Sequence, residues 1–162
     1  MIYVSPIGRF LLRESNGFLV SAHFSNEEEM DSPETPVLTQ AARELDEYFA
    51  GKRQNFDVPL NPTGTPFQRK VWAELQKIPY GTTISYGELA RRIGQPKASR
   101  AVGMANHRNP LAIFIPCHRV IGADGSLTGY GGGLEVKRFL LDLEVGQKTS
   151  AEKKETFAGK KP

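Results

Sequence analysis

The sequence predicts a small α/β domain, an antiparallel sheet with one helix, followed by a mostly α-helical domain that carries a helix-turn-helix. Three observations predict this. Short apolar runs punctuated by turn residues fill the first third, two helix-capping signals open apolar-periodic segments after residue 62, and the balance of charge reverses between the same two regions.

Ile2 to Val4, Phe10 to Arg13 and Phe18 to Phe24 read as short strands. Ser15-Asn16-Gly17 joins the last two, because Asn and Gly accept the positive φ of a tight hairpin turn. Residues 25–36 are acidic and contain proline, which predicts a loop. Leu38, Ala41, Ala42, Leu45, Tyr48 and Phe49 then recur at helical spacing until Gly51, and Phe56 to Leu60 is compatible with a further strand. The turn-rich Asn61-Pro62-Thr63-Gly64 marks the expected boundary. The predicted domains are therefore 1–61, 62–146 and a basic tail, 147–162, expected to be disordered.

In the second domain Thr65-Pro66-Phe67-Gln68 supplies an N-cap, a proline at the first helical position and a capping-box Gln. Phe67, Val71, Trp72, Leu75 and Ile78 follow on one face, and Pro79 should stop that helix. Ser85-Tyr86-Gly87-Glu88 is a second capping box, opening a short helix that ends at Gly94. A third helix fits Lys97 to His107. Helices on either side of Gly94-Gln95-Pro96 form a helix-turn-helix pattern, whose second helix commonly meets DNA. That helix carries Ala98, Ser99, Ala101, Gly103 and Ala105 beside Arg100, a composition that suits either close approach to a partner or tight helix packing. A last helix carries Val136, Phe139, Leu140 and Leu143.

Of 162 residues, 39% are hydrophobic, sufficient for a packed core, and no apolar run approaches the length needed to cross a bilayer. The start lacks a signal-peptide pattern, so a cytoplasmic protein is expected, or a nuclear one in a eukaryote. Residues 1–61 hold five basic and ten acidic side chains, whereas residues 62–162 hold sixteen and eight. A basic half is what contact with a phosphate backbone would need, although a solvated face and a Lys-rich tail give the same count. The single cysteine, Cys117, excludes an internal disulfide and a Cys-rich zinc site.

The apolar run Leu111-Ala112-Ile113-Phe114-Ile115, read as a buried extended segment, ends at Pro116-Cys117-His118-Arg119. A thiol attacks as its thiolate, and neighbouring His and cationic side chains raise that fraction. A buried inert cysteine fits the same residues, while His107, Cys117 and His118 are too poorly spaced for a metal site.

Ile115-Pro116-Cys117-His118-Arg119-Val120, with Arg100-Ala101-Val102-Gly103 and Asn109-Pro110 before it and Gly129-Tyr130-Gly131-Gly132-Gly133-Leu134 after it, resembles the O6-alkylguanine-DNA alkyltransferases. The resemblance runs from about Gly64 to Glu144, and the N-terminal part matches in general layout. It implies a ribonuclease-H-like first domain and a winged-helix-like second one. It further implies that Cys117 accepts the alkyl group, that His118 removes the thiol proton through a water, and that Glu144 orients the imidazole. Asn109 corresponds to the hinge asparagine tying the helix-turn-helix to the acceptor loop. Tyr86 corresponds to the tyrosine that bonds the flipped guanine and helps protonate it.

Arg100 corresponds to the finger that replaces the extruded nucleotide, with Lys97, Ser99, Ala101, Gly103 and Arg119 as further DNA contacts. Val120, Tyr130 and Gly131 correspond to the loops whose main chain reads the base. The family places its recognition helix in the minor groove, where small residues fit. The resemblance therefore implies stoichiometric, irreversible repair of O6-alkylguanine, and of O4-alkylthymine, in double-stranded DNA. It implies a monomer without cofactor or metal, and leaves cooperative binding along the duplex open. Some relatives carry Ser where Gly131 stands, and others an N-terminal zinc site partly built from cysteines, which the single Cys117 rules out here. A non-reacting damage binder, a Cys-His hydrolase and a redox-sensing regulator are the competing classes. The first would replace the acceptor Cys, the second would leave Arg100 without a role, and the third would need a dimerisation segment.

Overall fold

The computed structural model describes residues 1–26, 34–130 and 132–146. The first unit, Met1–Thr63 with Pro110–Phe114, is built on a three-stranded antiparallel sheet in the order β1 (Ile2–Ser5), β2 (Gly8–Ser15), β3 (Phe18–Phe24). The β2–β3 hairpin turns on Asn16 and Gly17, both at positive φ (52° and 83°), as the Asn-Gly pair predicts. Helix α1 (Pro36–Phe49) packs across all three strands, with Thr35 capping its start and Leu38, Ala41, Leu45 and Tyr48 buried.

Glu44 is also buried on α1, and it explains why the stretch from Phe56 to Leu60 is not a strand. Its carboxylate accepts the backbone N–H groups of Asp57 (2.9 Å) and Val58 (3.1 Å), which a ladder would otherwise need. Pro59 has no N–H to offer, so a single parallel bridge, Leu19 to Leu60, remains. The run Leu111 to Ile115 likewise makes one bridge, Ala22 to Leu111, with backbone bonds of 2.8 and 3.0 Å to Ala22. It breaks from pairing at Ile113, a buried β-branched residue held at φ 73°, a conformation that costs about 1–3 kcal/mol. Pro110–Phe114 belong to the first unit even though they follow the helix-turn-helix, so the chain passes between units three times, not once.

The second unit comprises Gly64–Asn109 and the chain from Ile115 onward. Helix α2 (Pro66–Leu75) begins with the full reciprocal capping box of Thr65 and Gln68, and buries Val71, Trp72 and Leu75. It ends before Pro79, with Ile78 buried in the turn that follows. Gly64 is required here: a Cβ on it would lie 2.5 Å from the Trp72 ring. The Trp72 indole N–H in turn donates to the Ala105 carbonyl at 2.8 Å, joining α2 to α4 (Ser99–His107).

Helix α3 (Tyr86–Arg92) is capped by Ser85, whose hydroxyl accepts from Glu88 N. The expected box is half formed, because the Glu88 carboxylate turns instead to Arg91 and Arg92. Gly94 (φ 79°) ends the helix in a Schellman turn, with Gln95 N bonded to Ala90 O and Gly94 N to Arg91 O, both at 2.9 Å. Helix α4 starts two residues later than its sequence suggests. Strands β4 (Ile84–Ser85) and β5 (Val120–Ile121) form a small parallel pair. Helix α5 (Leu134–Gly146) buries Lys137, Leu140, Leu141, Glu144 and Val145, while Phe139 is exposed.

Candidate active site

Cys117 opens a 3-10 turn, Cys117–Arg119, directly after the buried Ile115 and Pro116, and is only 7% exposed. Asn106 in the last turn of α4 and Asn109, two residues past its end, hold this turn. Asn109 Nδ2 donates to Ile115 O at 2.8 Å, and Asn106 Nδ2 donates to Cys117 O at 3.3 Å. Burial pushes the Cys117 thiol up; a side-chain hydrogen bond from Asn109 and the charge of Lys137 act in the opposite direction.

His118 is fully buried, with Nε2 2.7 Å from Glu144 Oε2. Nδ1 has no hydrogen-bond partner among the described residues. A carboxylate accepts only, so the proton sits on Nε2 and the Nδ1 lone pair is the ring's free base. Burial holds the imidazole below its ordinary pKa despite Glu144, so it rests neutral at pH 7. Burial alone would raise Glu144, but the charges and hydrogen bonds of His118 and Arg119 prevail and hold it far below the usual carboxylate range. Gly81 N adds a further bond at 3.1 Å.

Arg119 departs from its expected role as a DNA contact. It is 5% exposed, and its guanidinium donates to both Glu144 oxygens, at 2.8 and 2.9 Å, and to Ile78 O at 2.7 Å. A side chain with its donors spent inside the core cannot face a phosphate. The other expected DNA contacts lie on the helix-turn-helix: Lys97, Arg100 and Ala101 are exposed, and Ser99 and Gly103 half-buried. Gly103 faces the Tyr86 ring, where an added Cβ would make an ordinary 3.6 Å contact, so packing against Tyr86 does not itself demand glycine.

Tyr86, the first residue of α3, is half-buried and bonded to Thr128, whose Oγ1 lies 3.1 Å and whose carbonyl lies 3.3 Å from the phenol oxygen. Lys137 closes this side of the site. It is fully buried and donates to Val120 O at 2.6 Å and Thr128 O at 2.8 Å. Burial pushes its pKa down to about 8, and Cys117 opposes that shift. Tyr130 is buried, its hydroxyl has no hydrogen-bond partner among the described residues, and burial raises its pKa well above the ordinary value. Gly131, expected in the base pocket, and the tail 147–162 lie outside the described residues. Among the described residues no group of three or more His, Cys, Asp or Glu side chains is placed to hold a metal ion.

Structure thus brings together Cys117, His118, Glu144 and Asn109, and adds Lys137, Arg119, Asn106 and Thr128, which sequence reasoning did not assign to this centre. Lys137 and Glu144 share one α5 face at a seven-residue spacing, a placement a helical projection could have flagged as two charges among apolar neighbours.

A lone thiol beside a sealed imidazole–carboxylate pair, on a domain with a helix-turn-helix, defines a DNA-associated cysteine acceptor protein. The comparisons specify which. The family "6-O-methylguanine DNA methyltransferase, DNA binding domain" matches residues 66–146, and its "ribonuclease-like domain" matches residues 1–62. The chain is 52% identical over 149 residues to a methylated-DNA–protein-cysteine methyltransferase of Methanosarcina acetivorans, covering 88% of this chain and 96% of that protein. It is 47% identical over 150 residues to the constitutive one of Bacillus subtilis, covering 86% and 91%. The solved structure of Mycobacterium tuberculosis OGT in complex with DNA superposes with a TM-score of 0.83 at 46% identity, covering 92% of this chain and 94% of that one. This chain belongs to the 6-O-methylguanine DNA methyltransferase family.

Proposed function

We propose that this chain binds double-stranded DNA along α4 from the minor groove, flips an O6-alkylated guanine out of the stack, and takes the alkyl group onto Cys117. The reaction class is that of the family: direct-reversal DNA repair by a methyltransferase whose acceptor is its own cysteine. The observation that carries the reading is the His118–Glu144 pair, sealed from solvent at 2.7 Å beside the sole cysteine of the sequence.

In the proposed step the thiol proton passes, through a water, to His118 Nδ1. Glu144, kept ionised by Arg119, then stabilises the imidazolium. The sulfur forms a bond to the alkyl carbon as the carbon–O6 bond breaks, and the electron pair moves onto the guanine, which Tyr86 helps to protonate. The products are restored guanine and an S-alkyl thioether. That bond is stable, and no second thiol in the sequence could displace it, so each molecule acts once.

Arg100 would fill the place of the extruded nucleotide, with Lys97, Ser99, Ala101 and Gly103 along the backbone. Main-chain groups of Val120, Tyr130 and Gly131 would read the base. Flipping costs a few kcal/mol, and less for a weakened pair, so the lesion favours its own selection. No cofactor takes part, because the acceptor sulfur is the protein's. The chain would act as a monomer, on O4-alkylthymine as well, in the cytoplasm or wherever its DNA lies; no described helix is long and apolar enough to cross a membrane.

The test is intact-protein mass after incubation with a duplex containing one O6-methylguanine, with Cys117→Ala as control. One added methyl group, absent in the control and limited to one equivalent per protein, is the expected result. Tight lesion binding without any change of mass would overturn it in favour of a non-reacting damage binder.

A further inference from the structure

The outward face of α4 holds an apolar side chain that neither the fold nor the alkyl transfer uses. Val102, Ala105 and Asn106 face inward and are buried, whereas Arg100, Ala101, Met104, His107 and Arg108 are exposed and fall at successive turns of one stripe. Met104 is 57% exposed at the centre of that stripe, one turn after Arg100 and one turn before Arg108. Its neighbours make the surface a site for a polyanion. The helix contains no acidic residue, and among the described residues the side chains of Lys97, Arg100 and Arg108 form no ion pair.

We propose that Met104 is a DNA-contacting apolar wedge, which lies against sugars and base edges of the minor groove one helical turn from Arg100. The inference rests on the reading of α4 as the DNA-bound helix. Lys97 before the helix and Arg108 at its end bring the phosphates to the two ends of the stripe, leaving the thioether directed at the less polar groove between them. Apolar wedges, methionine among them, are used at minor grooves to part or unstack a base step. An unbranched side chain with three rotatable bonds can also follow an irregular groove. Ala101 is too short to do this, and Gly103 is turned toward Tyr86. Met104 therefore steadies the opened duplex at the step beside the one that Arg100 enters, and so favours the flipped state.

The test compares wild type, Met104→Ala and Met104→Gln on a duplex with one O6-methylguanine and a neighbouring 2-aminopurine. Its readouts are affinity at several salt concentrations, 2-aminopurine fluorescence and single-turnover transfer. Transfer from free O6-benzylguanine serves as the control for an intact thiol site. Both variants should bind the duplex about five- to tenfold more weakly, with a smaller fluorescence rise, an unchanged salt slope and an unchanged rate on the free base. Unaltered duplex affinity and fluorescence in both variants would overturn the proposal while the repair reading stands. An equal loss on the free base would overturn it as well, by placing Met104 in the fold. Loss of self-association in the variants, with DNA affinity unchanged, would assign the face to a second copy of this chain instead. A wild-type protein that fails to bind the duplex overturns the underlying reading, and this inference with it.

Discussion

Arg119 grips Glu144 through both carboxylate oxygens, at 2.8 and 2.9 Å, in a pair that is almost completely buried. The carboxylate that orients His118 is therefore never a lone charge in the core. Arg119 supplies the permanent counter-charge, so the imidazole can rest neutral and accept a proton when the thiol gives one up. The pair is isolated from solvent on every side that His118, Gly81 and Ile78 cover.

Removing the guanidinium should hence strand a buried carboxylate. Arg119→Met is expected to cost about 3–5 kcal/mol in urea unfolding, and Arg119→Lys less, because one point charge replaces a two-pronged bond. Arg119→Met, measured under conditions where it is still folded, should bind duplex DNA with wild-type affinity and salt dependence. A salt slope smaller by about one charge in that variant would restore Arg119 to the phosphate contacts and sink this assignment.

His118 sets the acid side of stability. Its folded pKa lies below the ordinary histidine value, so between the two the unfolded chain binds the extra proton. Stability is then fully present above the ordinary value of about 6.5 and is lost as pH falls below it, by at most about 1.4 kcal/mol per unit. Glu144 contributes in a lower window, since its folded pKa is depressed and its share is lost only below about 4.5. Urea midpoints between pH 5 and 7 should slope for wild type and flatten in His118→Gln; parallel slopes would rule His118 out as the titrating group.

Asn109 and Asn106 both reach the acceptor turn but are not equivalent. Asn109→Ala takes from the Ile115 carbonyl one of its two donors, the other being Cys117 N at 2.8 Å, at a cost of about 0.5–1.5 kcal/mol, and takes from the thiol a hydrogen bond that favours its thiolate. Its iodoacetamide reactivity should therefore rise at a higher pH than in wild type. Asn106→Leu loses a longer bond, 3.3 Å, and also removes Oδ1, a buried atom with no hydrogen-bond partner among the described residues. It should be the more stable of the two variants by thermal unfolding; the reverse order would show that the longer bond carries the turn.

Much of this architecture is legible in residue order. Asn16-Gly17, Thr65-Pro66-Phe67-Gln68 and Gly94 each predict a local conformation that the backbone adopts, because turn and cap chemistry acts over a few residues. Two kinds of feature escape. The Phe56–Leu60 run reads as a strand and Leu111–Ile115 as an extended segment, yet Glu44 diverts the first from a distant point in the sequence, and Ile113 bends the second through a left-handed conformation that a β-branched residue gives no reason to expect. In α5 the apolar pattern Val136, Phe139, Leu140, Leu143 picks a face rotated from the true one, 137, 140, 141, 144 and 145. The error lies where Lys137 and Glu144 point inward, against the rule that charges face water, and those two residues belong to the site.

Lys137 is the residue on which this misreading turns, and its removal makes the sharpest prediction. It is a cation beside Cys117 and also the strap between the Val120 and Thr128 carbonyls, and Thr128 in turn contacts Tyr86. Lys137→Met keeps the length and apolar stem while deleting both functions. Alkyl transfer should fall about tenfold or more, roughly 1.4 kcal/mol or more in the barrier, on lesion duplex and on free O6-benzylguanine alike. Duplex affinity should hold, because the side chain is fully buried. Stability supplies an independent check. With its folded pKa near 8 and a higher unfolded value, Lys137 makes wild type gain stability as pH rises from about 8 to about 10.4, where the unfolded chain binds the extra proton. Lys137→Met should lack that gain. A variant that transfers at the wild-type rate on both substrates would show that neither the charge nor the strap is needed for the chemistry.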